Sequence, residues 1–305
     1  MMLTGLSLAV LMLTGLLLVG CGKTSTTSIS GTVGGGGETV EASGTTGSVA
    51  ETTAGVSSED AEPEVSAEET PFTDAPEARG GSRFESDGIL AVRFGEHEGY
   101  ERVVVDLGAG EKAARRVPEW TLTSPEGDGL LRVTFPSVDA TRVSDGDFGG
   151  TLLKDFHVVR APEGGMFIDV LSRKAFTYRI LELRNPARLV VDFKPSSASL
   201  AMPAPSEHGN TVVIKPRSGA PVSGTLTVSG YSRNLEASNT ITLLDAEGMV
   251  IAEETVQGND WSETWGYFET TLDAPPFTGK GTLKVGTASA RDGTFEGVEV
   301  PVRGS

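Results

Sequence analysis

Few residues in this chain have the type and spacing to do chemistry. The stretch RVVVDLGAGEKAARRVP, Arg102 to Pro118, carries a β-branched run into Asp106 and then into Gly108-Ala109-Gly110, with Ala113 as a third small residue. The first strand and glycine loop of a dinucleotide- or S-adenosylmethionine-binding enzyme often read this way. Such a loop needs a helix that starts at the glycines and returns the chain to a parallel strand. Glu111 to Val117 leaves only seven residues before Pro118, against about 10 to 12 or more for a crossover. The glycines are therefore expected to form a loop leaving a strand, Asp106 to be a strand-end residue, and no cofactor to bind. His97, His157 and His208 are far apart and form neither H-E-x-x-H nor a short His pair, so no catalytic or metal constellation is expected. DGDFGG, Asp145 to Gly150, begins like a calcium loop. Its twelfth position falls on Phe156 where a bidentate Glu is required, and a turn is expected instead.

In WSETWGYFE, Trp261 to Glu269, aromatic faces could stack on sugar rings. Trp265 and Phe268 lie in a strand-like run and are expected to pack a core. Trp261 sits in the preceding turn and is the candidate for ligand contact. The remaining reactive group is the thiol of Cys21, the only cysteine. It closes an apolar run from Leu3 to Val19 through Leu18-Val19-Gly20-Cys21, which resembles a bacterial lipoprotein signal peptide with its lipobox. The resemblance implies that the Cys21 thiol takes a diacylglyceryl group, that small Gly20 opens the bond to the peptidase and that Leu18 fills an apolar pocket. A transmembrane helix with an incidental cysteine is the competing reading, since about 17 to 20 apolar residues can span a bilayer. No Lys or Arg precedes Cys21, a departure from the usual charged start that a start codon upstream would explain.

Forty-two acids against 25 bases give the 305-residue chain a formal charge of −17. That balance disfavours nucleic acid, which is bound by Lys and Arg neutralising phosphates. Eleven acids, from Glu38 to Glu77, crowd the segment Gly22 to Ser82 against only Lys23 and Arg79. With its Gly, Ser, Thr and Pro and no aromatic before Phe72, this segment cannot bury enough apolar surface to offset its ordering entropy. It is expected to be a disordered tether, with a root-mean-square span of about 40 to 45 Å for ~60 residues.

After Phe84 short β-type runs alternate with turn residues: GILAVRF, ERVVVDL, EWTLTS, GLLRVTF, LLKDFHVVR, MFIDVLS, FTYRILEL and RLVVDF. A Pro- and Ser-rich stretch, KPSSASLAMPAPSEHGN, precedes a second series of seven strand-like runs. No window supports a long helix. The fold class expected is all-β, with two β-sandwich domains in tandem after the tether. The boundaries are 1–20 signal peptide, 21–84 lipidated tether, 85–195 first domain, 196–210 linker and 211–305 an immunoglobulin-like sandwich.

RVVVDL returns as RLVVDF at Arg188 to Phe193, without a glycine loop, so the shared element is the strand. Asn185-Pro186-Ala187-Arg188-Leu189-Val190-Val191-Asp192-Phe193 resembles the phrase that closes AMIN and AMIN-like domains, and GYERVVVDL and VPEWTL resemble the opening of the AMIN-like form. Ile214 to Ile251, Ser289 to Gly293 and Val298 to Val302 resemble a Gmad-type immunoglobulin-like domain of bacterial spore-germination and envelope proteins. These resemblances imply a non-enzymatic protein on the extracytoplasmic face of the membrane, anchored through Cys21. They imply binding to peptidoglycan or another wall glycan, or to an envelope protein. An adaptor that recruits an envelope or spore-germination component without touching the wall polymer is the alternative.

Overall fold

A computed structural model of the protein describes residues 70–83, 86–124 and 128–304. The expectations for Leu18, Val19, Gly20, Cys21 and most of the tether lie outside the described residues. Among the described residues the regular structure is β-strand, with one 3-10 turn at Leu235–Ala237 and no α-helix. No helix there is long and apolar enough to cross a membrane.

The first domain is a sandwich whose outer sheet runs in the order Phe176–Leu183, Arg188–Pro195, Tyr100–Ala109, Gly88–His97 and Ala140–Thr141. The two related phrases are direct neighbours here, antiparallel, with Arg102 opposite Asp192 and Asp106 opposite Arg188. An Arg and an Asp four residues apart in both strands bring opposite charges together when the strands run antiparallel. Arg102 donates to both Asp192 oxygens at 2.6 and 2.9 Å, and Arg179 Nε donates to Asp192 at 2.7 Å. Asp106 takes its pair from Arg93 instead, at 2.6 and 2.8 Å. Alternation sends Val103, Val105, Leu107, Leu189, Val191 and Phe193 into the core. The strand Tyr100–Ala109 turns back at Gly110, whose φ of 59° is in the left-handed region, into the short pairing segment Lys112–Ala113. The strand thus runs further than the sequence suggests: Asp106 lies inside it, Gly108 still pairs with Gly88 on one side and Ala113 on the other, and only Gly110 is in the turn, with no helix after it.

The facing sheet runs Glu77–Gly80, Trp120–Thr123, Leu130–Phe135, Met166–Ser172 and Leu153–Arg160, and does not stop there. Trp265 and Gly266 pair in parallel with Val159 and Arg160. The same sheet continues through Trp265–Ala274, Gly224–Ser232, Thr211–Lys215 and Ser206–His208 of the second domain. A five-stranded sheet, Ala220–Val222, Phe295–Gly304, Gly279–Ala288, Ser238–Leu244 and Val250–Gln257, closes the second sandwich over Val228, Ile241, Leu243, Phe268, Leu283 and Val285. The two sandwiches are therefore in tandem, as the sequence predicts, and also share one sheet. Sharing explains why Met166–Ser172 is buried at every position rather than alternating. Ile168 and Val170 face the first core, while Phe167 packs with Val159, Val212, Tyr231 and Trp265 in a small core at the seam.

Two expected boundaries shift. The sequence predicts a disordered tether as far as residue 84, yet Glu77–Gly80 pairs with Trp120–Thr123 through four residue pairs. Ahead of it Thr73 bridges Tyr178, whose hydroxyl donates to Ala75 O at 2.8 Å. Residues 70–83 therefore belong to the first domain, held by backbone pairing rather than by an apolar pattern. The linker placed at 196–210 likewise contains the edge strand Ser206–His208, paired to Thr211–Lys215.

Candidate functional site

The strand Leu153–Arg160 fixes the first domain's contribution to the site. Its entry is set by Glu101, a buried carboxylate that accepts the N–H groups of Thr151, Leu152 and Leu153 at 2.9, 2.9 and 2.8 Å. Its exit is Arg160. From there the guanidinium crosses to the second domain, reaching Asp260 at 3.2 and 3.3 Å and Glu263 at 2.9 Å.

Asp260 organises the loop that carries Trp261. One carboxylate oxygen accepts the backbone N–H groups of Trp261, Ser262 and Glu263 at 2.6, 3.0 and 3.2 Å, the Asx-turn behaviour that makes Asn-Asp pairs turn formers. Burial opposes ionisation of Asp260, but the backbone donors of Glu263, Ser262 and Trp261 and the Arg160 guanidinium outweigh it and hold the carboxyl below its ordinary range. Asn259 fastens the other side. Its amide donates to Arg160 O and Ala161 O, both at 3.1 Å, and its oxygen accepts Tyr267 N–H at 2.8 Å. Gly266 lies so close to the Asp260 backbone that any Cβ there would collide with it, so only glycine lets the strand start directly beneath the loop.

Trp261 is 40% exposed, as the sequence predicts, whereas Trp265 and Phe268 are buried, Phe268 in the second core and Trp265 at the seam. Trp261 lines an open groove of about 690 Å³ with Asn210, Arg233, Leu235, Thr287 and Glu296, a size within the usual range for ligand sites. Leu235, 60% exposed, provides a second apolar surface. It sits on the 3-10 turn whose next residues, Glu236 and Ala237, have φ of 55° and 56°, a backbone cost that non-glycine residues bear only where the surroundings enforce it. The enforcing contacts come from buried Asn234 and Asn239: Asn234 donates to Thr211 Oγ1 and Asn239 Oδ1 at 3.0 and 2.8 Å, and Asn239 donates to Ala237 O at 3.1 Å. A rigid aromatic, an aliphatic side chain and a rim of amide, hydroxyl and charged groups can hold a sugar ring by its face and its hydroxyls.

The remaining residues singled out in sequence fall elsewhere. Asp145–Asp147 is a short strand paired to Leu153–Arg160, followed by a turn in which Asp147 accepts Gly149 N–H at 2.7 Å. Asp145 accepts the Trp265 indole N–H at 3.0 Å, and Phe156 is a core residue. His97 stacks on Tyr100. His157 and His208, 51 positions apart in sequence, line one pocket of about 340 Å³ with Asp155 and Glu207. No spacing rule could have joined them, because the pairing of Ser206–His208 and the seam bring them together. Arg160 and Asn259 were also missed. The Asn-Asp pair before Trp261 was the one local signal available.

Comparison with known proteins places two family models on this framework. An AMIN-like domain matches residues 88–195, and the immunoglobulin-like domain of bacterial spore germination, Gmad2, matches residues 210–294. No curated protein and no solved structure matches the chain. Both matched families are binding or adaptor modules rather than enzyme families, and they mark the chain as envelope-associated. The strand Glu77–Gly80 and the edge strand Ser206–His208 lie outside both matches, in segments that complete the shared sheet. The chain is thus an AMIN-like domain followed by a Gmad2 immunoglobulin-like domain.

Proposed function

We propose that this protein is an envelope lipoprotein, held on the extracytoplasmic face of the membrane through acylated Cys21, whose folded part binds peptidoglycan glycan in the Trp261 groove. The observation that carries the glycan assignment is the exposure of Trp261 on a loop whose backbone is fastened from both domains. An aromatic fixed in this way loses little conformational entropy on binding. The lipid on Cys21 would supply more than one acyl chain, which stable anchoring needs. The acidic segment would let the sandwiches reach the wall from the membrane.

The test is retention of the chain lacking residues 1–69 on purified sacculi. Retention of the parent and its loss in Trp261→Ala supports the assignment, and a parent that stays in the supernatant sinks it. For anchoring, Cys21→Ser should move the protein out of the membrane fraction. A variant that pellets like the parent returns the apolar N-terminal run to a spanning role.

One observation favours the adaptor reading instead. Val250–Gln257 is an edge strand of the five-stranded sheet, and Met249 and Val250 at its start are among the most exposed apolar residues. An edge of this kind can accept a strand from a protein partner. Absence of sacculus retention together with a saturable protein partner would decide for it.

A further inference from the structure

The seam pocket holds a group that the glycan reading does not use. Asp155 and His157 are alternate residues of the strand Leu153–Arg160 and so point to the same face. Glu207 comes from the edge strand Ser206–His208. One donor atom from each lies within 4.8 Å of the others. We propose that Asp155, His157 and Glu207 form a zinc-type divalent metal site that clamps the connector between the two domains to the first domain.

Unsatisfied buried atoms point to a ligand at this place. Asp155 Oδ1 and His157 Nδ1 are both buried with no hydrogen-bond partner, and they face each other at 4.0 Å, too far for a hydrogen bond. The His157 side chain is only 8% exposed, so the orphan cannot be dismissed as a surface atom, and leaving such atoms unmet is costly. Two donors on one tetrahedral zinc at about 2.0 to 2.2 Å stand roughly 3.4 Å apart. Closing the observed gap takes about 0.6 Å of side-chain rotation by that measure. The imidazole is already oriented by Trp265, edge to face at 4.6 Å, and by Tyr231 at 5.2 Å.

Charge and donor chemistry select the ion. Asp145, Asp147, Asp155 and Glu207 all line the pocket. The nearest cation is Lys154, which contacts Glu207 and lies 3.5 Å from Asp155 Oδ2. It leaves Asp155 Oδ1 and His157 Nδ1 unmet, so its ammonium is a competitor that the metal displaces toward solvent. An imidazole with two carboxylates suits zinc, whereas calcium and magnesium take oxygen-only shells. Three protein ligands leave a fourth position facing the pocket for water.

The experiment is calorimetric titration of the untagged full-length chain in detergent with zinc chloride, and in parallel with calcium and magnesium chloride. The expected result is one zinc per chain, no saturable calcium or magnesium heat, and a higher melting temperature with zinc. Glu207→Gln, at a partly exposed position outside the cores, should weaken zinc by at least ~10- to 100-fold, the loss seen even for outer-shell partners. His157→Ala should abolish binding. Lys154→Met should tighten it, a result that a merely destabilised fold cannot produce. Circular dichroism of each variant separates misfolding from lost ligation. Absence of saturable zinc binding, or binding unchanged in both Glu207→Gln and His157→Ala, overturns the site. Binding lost only in His208→Ala overturns the ligand assignment.

Discussion

Asp106 and Asp192 occupy the same position of the same phrase, and the structure predicts very different consequences for removing them. Asp192 is fully buried and accepts three charge-assisted hydrogen bonds, two from Arg102 and one from Arg179. Asp192→Ala leaves two guanidinium groups, 24% and 10% exposed, with no counter-charge. Breaking a buried pair costs ~3–5 kcal/mol, and partial access of water to Arg102 argues for the lower end. Asp106 pairs with Arg93, whose side chain is 53% exposed, and a pair screened by solvent contributes at most ~1 kcal/mol. Against a typical stability of ~5–15 kcal/mol, the first change removes a large share and the second little. Urea unfolding of both variants, read by far-ultraviolet circular dichroism with the slope held common, measures the difference directly. Equal losses, or a larger loss for Asp106→Ala, would refute the assignment of Asp192 as the buried hub of the ladder.

The two tryptophans of WSETWGYFE separate binding from stability: Trp265→Ala should cost ~3–5 kcal/mol in thermal or urea unfolding, and Trp261→Ala under ~1 kcal/mol while abolishing sacculus retention. If Trp261→Ala destabilises as much as Trp265→Ala, Trp261 is a packing residue. Because Asp260 titrates below its ordinary range, its support of the loop is complete above the unfolded carboxyl value of ~3.9 and is lost as pH falls through the lower folded value. Tryptophan emission should therefore change only in that acid window, and Asp260→Asn should show the acid-type emission already at neutral pH. A chain beginning at residue 86, close to the start of the family match, lacks the strand Glu77–Gly80. It should melt at least ~2–4 °C below a chain beginning at residue 70, the shift expected for ~1 kcal/mol in a fold of this size. Equal melting temperatures would return residues 70–83 to the tether.

What the sequence made legible follows from what each strand is stabilised by. Tyr100–Ala109 buries one face and shows it by alternation, Arg188–Pro195 buries Leu189 to Phe193 without a break and shows itself through the repeated phrase, and the reciprocal Arg and Asp fit their antiparallel pairing. Glu77–Gly80 has no fully buried residue and sends only Ala78 against the first core. It exists because the edge of Trp120–Thr123 offers unmet backbone groups, and EARG carries no sign of that. The parallel pairing at the seam involves only Trp265 and Gly266 with Val159 and Arg160, too short to leave a periodic trace. Its residues show instead as an anomaly: MFIDVLS is apolar on both faces, a pattern of strands covered on both sides, and that signal was available for a second layer over the first domain. For the groove, Trp261 was found from its position in a turn. Its supports Asn234 and Arg160 were not, since a buried amide or a bridging guanidinium has no spacing to read.

The seam also changes what each domain can do alone. The loop bearing Trp261 belongs to the Gmad2 part of the chain, but three of its anchoring groups, the Arg160 guanidinium and the Arg160 and Ala161 carbonyls, come from the AMIN-like part. Thr264, just beyond it, donates its hydroxyl to Val158 O. Cutting the chain between residues 195 and 206 therefore removes the donor that holds one oxygen of Asp260 and the two acceptors of the Asn259 amide, and it exposes Phe167, Tyr231 and Trp265. An excised second domain should keep its own core of Val228, Ile241, Phe268 and Val285 and yet present Trp261 on a loosened loop. Entropy then opposes what rigidity favoured. The family matches divide the chain into residues 88–195 and 210–294, while the groove depends on the sheet that joins them.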